Sequence, residues 1–316
     1  MFKMESNHLL PCGTNYLKLL HWIPYDKLNW FMLSSNPNAI HLLEKNLDKV
    51  DWYYLSGNPS AVHLLEKNLD KVDWNLLSKN VNAIHLLEKN LDKVDWYYLS
   101  GNPSAIHLLE KNLDNVNWYH LSGNPSAIHI LEKNLDKVDW KTLSRNANAI
   151  HLLEQHPSKV DWYYLSDNTA AIHLLKKNLN KVDWHTLSCN PSAIHILEKN
   201  KNKLIWYYLA GNTSATHLLL ETYIVPGSES HQTSDNKIFW YKLSGNPNAI
   251  SILEKNVDKI DWFKMSGNPN IFTYDYREMK DALYKENGVA EELMKNRFHP
   301  KNMEKWKDWG FDDDND

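Results

Sequence analysis

The chain has 316 residues, with 35 Lys+Arg against 39 Asp+Glu and a formal net charge of −4. Apolar residues make up 42% and charged ones 23%, which excludes a disordered chain, and there is no run of about 18 apolar residues to span a membrane. Three counts stand apart from ordinary composition: 14 Trp, 16 His, and 37 Asn against two Gln. Length alone suggests roughly two domains; the internal repetition points instead to one array.

At the N-terminus, residues 1–29 hold a degraded unit, since LKLLHWIPYDKLNW keeps an Asp-Lys-Leu-Asn-Trp ending and loses the helical pattern that follows elsewhere. Terminal units of an array need an atypical outer face, so this stretch reads as a cap. MFKMESNHLLPCG has no charged segment leading into an apolar one, so no signal peptide is expected. Cys12 and Cys189 are the only thiols and share no context, which suits a reducing compartment. Cys189 sits where other units carry Gly, Lys, Arg, Asp or Ser, and reads as a tolerant surface position.

From residue 30 the period is explicit. Trp30, Trp52, Trp74, Trp96, Trp118, Trp140, Trp162, Trp184 and Trp206 follow one another at 22 residues, and Trp240 and Trp262 complete the set after a 12-residue insertion within about 220–235. These 11 units, numbered here from Trp30, share the consensus WYYLSGNPSAIHLLEKNLDKVD. Asn stands six residues after every Trp, and Pro follows it in seven units. Asn-Pro ahead of an apolar-periodic run reads as N-cap and first helical position. In unit 2, Val62, Leu65, Leu69 and Val72 fall at steps of 3, 4 and 3, one apolar stripe. A second start lies in LDKVDW, where Asp70 caps a short helix over KVDWYYLS, partly 3-10.

A unit is therefore a longer helix and a short one, neither stable alone, with Trp, Leu, Ala, Ile and Val buried against the next unit. The predicted fold is all-α, a two-layer α-solenoid of about 11 repeats of 22 residues spanning 30–272 and capped at both ends. Residues 273–316 read as a C-terminal helical cap: YREMKDALYKENGVAEELMKNR, then HPKNMEKWKDW stopping at Gly310, then an acidic tail.

The LSGNPSAIHLLEK phase resembles the leucine-rich variant repeat, which implies alternating α and 3-10 helices in a right-handed superhelix; the shorter period and the Trp are departures from that family. Over nearly the whole chain, the Trp-anchored units with LSxNPxAIxLLExN, closing in NPNIFTYDYREMK and FHPKNMEKW, are similar to repeat proteins of nucleocytoplasmic giant DNA viruses, mimivirus-like or marseillevirus-like. This resemblance implies a viral source, in the host cytoplasm or the virion, and no particular activity.

His41, His63, His85, His107, His129, His151, His173, His195 and His217 share one phase. Ligands of one ion lie about 2 Å from it, while stacked helices lie about 8–10 Å apart, so the column is expected to hydrogen-bond half-buried across unit interfaces and to hold no metal. Protonating these nine would move the charge from −4 towards +5, and mild acid is then expected to loosen the array. The Asn column is expected to cap helices and to bridge neighbouring units as a ladder. The Glu column (Glu44, Glu66, Glu88, Glu110, Glu132, Glu154, Glu198, Glu254) reads as a solvated face. Phosphate loops, HExxH, GxSxG and CxxC are absent from the sequence, so neither catalysis nor a cofactor is expected. Lys79, Arg145 and Asp167 replace a Gly that stands five residues after Trp in six units, so that position needs no left-handed backbone.

Units differ most at the two residues after Trp, and with Trp and the Leu three residues on pointing inwards, one of each pair should face out. The predicted partner-binding stripe is Tyr53, Tyr54, Tyr97, Tyr98, Tyr119, Lys141, Tyr163, Tyr164, His185, Tyr207 and Tyr208. Tyr-rich surfaces suit protein recognition. The alternative is single-stranded RNA or DNA, with rings stacking bases beside the Lys45, Lys67, Lys89, Lys111, Lys133 and Lys49, Lys71, Lys93, Lys137 rows. Against it, Asp rows (Asp48, Asp70, Asp92, Asp136 and Asp51, Asp73, Asp95, Asp139) interleave with the Lys, where a phosphate-binding face should be net basic. The sequence thus points to a non-enzymatic scaffold for a protein partner, from host or virion.

Overall fold

A computed structural model describes residues 16–222 and 236–278. Compact unit Leu19–Phe272 holds all 11 repeats; of a second unit, 1–18 with 273–316, the described residues are 16–18 and 273–278. The remainder of both predicted caps, most of the 220–235 insertion and Cys12 lie outside the described residues.

The solenoid is all-α, apart from a two-stranded sheet of Leu17–Leu19 and Phe272–Tyr274 among the described residues. Each repeat gives two short helices. The first opens at Trp, as in Trp52–Ser56 and Trp118–Gly123, and is capped by the residue just before it: Asp51 accepts from the Tyr54 N–H at 2.9 Å and Asn117 from that of His120 at 3.0 Å. Asp73, not Asp70, is the cap in its unit, because only Asp73 lies within reach of the exposed N–H groups of Trp74–Lys79. The Asn-led helix is the longer of the two in several units, six residues in Ile172–Lys177 against five in Trp162–Ser166. Asn-Pro leads a 3-10 turn such as Pro103–Ala105, which passes into α-helix Ile106–Lys111. Such turns lead the Asn-led element in several units and also precede the Trp-led helix in others, as at Pro157–Lys159, Lys201–Lys203 and Val257–Lys259.

The core also departs from the predicted stripe. Leu55, Ala61 and Leu65 are fully buried with Leu64 close behind, whereas Leu69 is 39% exposed and Val62 half-buried. Leu69 lies beyond the end of helix Val62–Glu66, so the helical period that would carry it inward has already stopped. Each buried Leu contributes about 2 kcal/mol of apolar burial. Most Trp are half-buried, Trp240 alone among the repeat Trp being buried. Lys covers the open side of the rings: Lys71 Nζ lies 4.7 Å from the Trp52 ring centre, Lys93 4.9 Å from Trp74 and Lys137 4.9 Å from Trp118.

Units are joined mainly by side-chain-to-backbone bonds that repeat at each interface. The Asn amide, six after Trp, donates to two carbonyls of the preceding unit: Asn124 to Ser100 at 3.0 Å and to Asn102 at 3.0 Å. Its oxygen accepts the Ser126 N–H at 2.9 Å. These Asn are buried, so both amide N–H groups and the oxygen find partners where water is excluded. The predicted ladder is present in all 11 units. Alongside it runs a Ser column that the sequence reading passed over. Ser122 is fully buried, donates to the Trp118 carbonyl at 2.7 Å, and accepts the Asp139 N–H of the next unit at 3.0 Å.

The array closes on itself. Asn36, in unit 1, donates to the carbonyls of Ser266 and Asn268, in unit 11, both at 3.1 Å. The Asn29 N–H donates to Ser266 Oγ at 2.8 Å, and Asn38 Nδ2 to the Pro269 carbonyl at 2.9 Å. These are the bonds any interior unit makes to the one before it, so unit 11 precedes unit 1 as unit 4 precedes unit 5. The Leu19–Phe272 body is a ring with 11-fold pseudosymmetry, and each terminal unit covers the other. The insertion leaves the ladder unbroken: Asn246 donates to Ala210 and Asn212 at 2.9 and 3.1 Å.

Successive Trp-led helices pack directly on one another, and Trp30–Ser35 packs on Trp262–Ser266 in the same way. Successive Ile-led helices are bridged instead by long His and Glu side chains. The ring therefore curves towards the Trp-led helices, which form its inner tier. Eleven helices about 9 Å apart make a circle roughly 30 Å across between axes, and side chains narrow the opening to roughly 20 Å.

Candidate functional site

In each Trp-led helix the residues three and four after Trp are buried towards the outer tier, as with Leu121 and Ser122. At 100° per residue, positions one, two and five after Trp then fall on the opposite side, the inner face of the ring. This face carries the residues in which the units differ.

The predicted stripe separates into two rows on it. Tyr53, Tyr97, Tyr119 and Tyr163, one residue after Trp, are about half exposed, at 53%, 48%, 47% and 54%. Lys141 and His185 share that row and are exposed, while Tyr207 is half-buried. In the second row Tyr98, Tyr164 and Tyr208 are half-buried, and Tyr54 is exposed at 38%. Within a pair the two rings meet edge to face, with centres 5.1 Å apart for Tyr97–Tyr98 and 5.4 Å for Tyr163–Tyr164. Such contacts hold the outward ring in one orientation.

The sequence reading overlooked the fifth position after Trp as a site position. It abuts the second position of the next unit: a Cβ on Gly123 would lie 3.0 Å from Thr142 Cγ2, and one on Gly57 3.8 Å from Leu76 Cβ. The narrow inner circumference favours Gly there, with φ of −84° at Gly57, so the requirement is for space and not for a left-handed backbone. The replacements of this Gly were visible in the sequence, but only curvature shows that they face the opening.

Those replacements change the chemistry. Lys79 Nζ lies 3.8 Å from the Tyr98 ring centre, and Tyr97 stacks its edge on His120 at 4.1 Å. Burial, then the Lys79 ammonium, push the His120 imidazole below its usual pKa, against an opposing pull from Asp95. His120 Nε2 is buried without a hydrogen-bond partner. Three units on, Arg145 Nε donates to Asp167 Oδ2 at 2.6 Å, and Cys189 Sγ lies 3.5 Å from the Tyr208 carbonyl. Cys189 is half-buried, not an open surface residue, because it packs against the next unit; burial, then Asp167, push its thiol up. A thiol so raised is a poor nucleophile.

On the outer tier the His column has carboxylate partners. His63, His107, His129, His151, His173 and His217 lie 2.6–3.1 Å from Glu44, Glu88, Glu110, Glu132, Glu154 and Glu198 of the unit before, and His85 lies 2.5 Å from Glu66. All of these His but the half-buried His107 are exposed, because the outer tier is spread apart, and the Glu face is engaged as well as solvated. Protonating an imidazole that already faces a carboxylate adds attraction, so the expected loosening in mild acid loses its electrostatic basis. Lys176 replaces Glu before His195, which turns to Glu198 at 3.3 Å, so one carboxylate takes two imidazoles. Bonds from His217 and then His195 hold the Glu198 carboxyl below its usual range. Whatever Glu198 contributes is thus present above the ordinary carboxyl pKa and lost as pH falls through the depressed one. Carbon-detected NMR titration should find the Glu198 carboxyl below the ordinary Glu range, and His217→Ala should raise it.

Among the described residues no group of three or more His, Cys, Asp and Glu is placed to hold a metal ion. No helix among them is long and apolar enough to cross a membrane. The chain matches no protein-family model, no curated protein and no solved structure.

Proposed function

We propose that this chain is a non-enzymatic ring scaffold that binds a protein partner across its inner aromatic face. The observation that carries the reading is the row one residue after Trp, where Phe31, Tyr53, Tyr97, Tyr119, Tyr163 and Phe263 stand exposed around a single ring. Rigid aromatic side chains with one open face supply contact area at little entropic cost, and they anchor many protein interfaces. The Lys49, Lys71, Lys93 and Lys137 ammonium groups lie over Trp rings 4.7–4.9 Å away, and each Lys is followed two residues on by Asp51, Asp73, Asp95 or Asp139, so this row is no net basic track for a nucleic-acid backbone.

The resemblance of the repeat and its closing box to giant-virus repeat proteins supports a viral source, with the ring acting as a host-directed adaptor or a virion-associated protein. Affinity purification from infected cells, with purified particles assayed in parallel, tests both parts. Tyr97→Ala with Tyr163→Ala should release the partner while moving the melting temperature by no more than about 2–4 °C, since both rings are exposed. Retention of the same partner by that double variant would overturn the reading.

A further inference from the structure

The fifth position after Trp is Gly or Ser in seven units, and Lys79, Arg145, Asp167 and Cys189 in the other four. Two inner-face cavities lie at those four. One, of about 290 Å³, is bounded by Lys79, Tyr98, Gly101 and His120. The other, of about 340 Å³, includes Arg145, Tyr164, Asp167, Cys189 and Tyr208 in its wall. Both have the same construction, a cation reaching from one unit beside the Tyr of the next. Both are of a size for a side chain or small ligand.

Each cation keeps binding capacity. Lys79 is exposed and lies over the Tyr98 face at 3.8 Å, where its ammonium retains its N–H donors. Arg145 commits Nε to Asp167 at 2.6 Å with its side chain 65% exposed, and a guanidinium has four further N–H groups. Asp167 thereby fixes the fork rather than filling it. His120 lines the first cavity beside Gly101 and adds a polar wall there.

We propose that the two cavities are a paired reader for an extended acidic polypeptide segment, one carboxylate seated at Lys79 and the other at Arg145. This rests on the protein-binding reading of the inner face. The two cations are three units apart, which at about 9 Å per inner helix places them roughly 20 Å apart across the curve. At about 3.3 Å per residue an extended chain spans that in about six residues. The spacing favours a polypeptide over a nucleic acid. Between the two cations lie the helix-capping Asp95 and Asp139, which a continuous polyanion would meet and two separated carboxylates pass by.

The test pans a random peptide library displayed on phage against the full chain, then measures a selected synthetic peptide by fluorescence anisotropy. The variants are Lys79→Gly, Arg145→Gly and both together, which install the residue other units carry at that position and so keep the fold. Enriched peptides should hold two Asp or Glu about six residues apart. Each single variant should weaken the peptide about tenfold and the pair about a hundredfold, and amidating the matched acid should cost nothing more in the matched variant. Enriched peptides without acids, indifferent to both variants, would overturn the paired reader and leave the protein-binding reading standing. No enrichment, with or without binding of a single-stranded oligonucleotide, would overturn both.

Discussion

Replacing Asn36 with Ala is expected to destabilise the ring by about 2–4 kcal/mol, as much as the same change at Asn124 on the far side. Each substitution removes an N-cap acceptor and the Asn donor of two carbonyls: Ser266 and Ser100 lose it, while Asn268 and Asn102 keep the Ile271 and Ala105 N–H groups. The equality is the informative part. In an open array unit 1 has one neighbour and frays ahead of the rest, so its Asn contributes less to global stability than an interior one. Urea denaturation followed by Trp fluorescence measures both variants against the unsubstituted chain. A full cost at Asn124 with less than about 1 kcal/mol at Asn36 would show the ring open in solution.

The second large effect lies in the core. Leu65→Ala should cost about 3–4 kcal/mol, because the side chain is fully buried and its removal leaves a cavity in the core. Leu69→Ala, four residues on, should cost less than about 1 kcal/mol, since Leu69 is 39% exposed beyond the helix end. The same denaturation series reads both. Comparable losses at the two positions would restore the continuous stripe that the spacing of Val62, Leu65, Leu69 and Val72 suggests, and would mean that helix Val62–Glu66 extends further in solution.

Of the candidate site, the sequence located the variable positions and could not orient them. Tyr97 and Tyr98 are the same residue type at adjacent places, and only the direction of curvature makes one the exposed contact and the other the wall of a cavity. Lys79 and Arg145 illustrate the same limit. In the sequence they are departures from Gly; on the inner circumference they are cations held beside the tyrosines of the next unit. His63 and Glu44 are 19 residues apart in different units and pair because the outer tier places them across one gap.

What the sequence determined by itself is the content of each unit: a 22-residue period, two helix starts marked by Asn-Pro and by the acid before Trp, and an Asn free to bridge units. These are local matters, settled by capping chemistry and turn residues within a few positions of each other. Tertiary structure alone decided how the units add. The turn from one unit to the next is small, and it depends on how closely Gly at one inner position lets successive Trp-led helices approach. A slightly different angle would yield an open superhelix from the same units. Here 11 steps return to the start, so that Asn36 finds Ser266 and Asn268 where it would otherwise meet solvent.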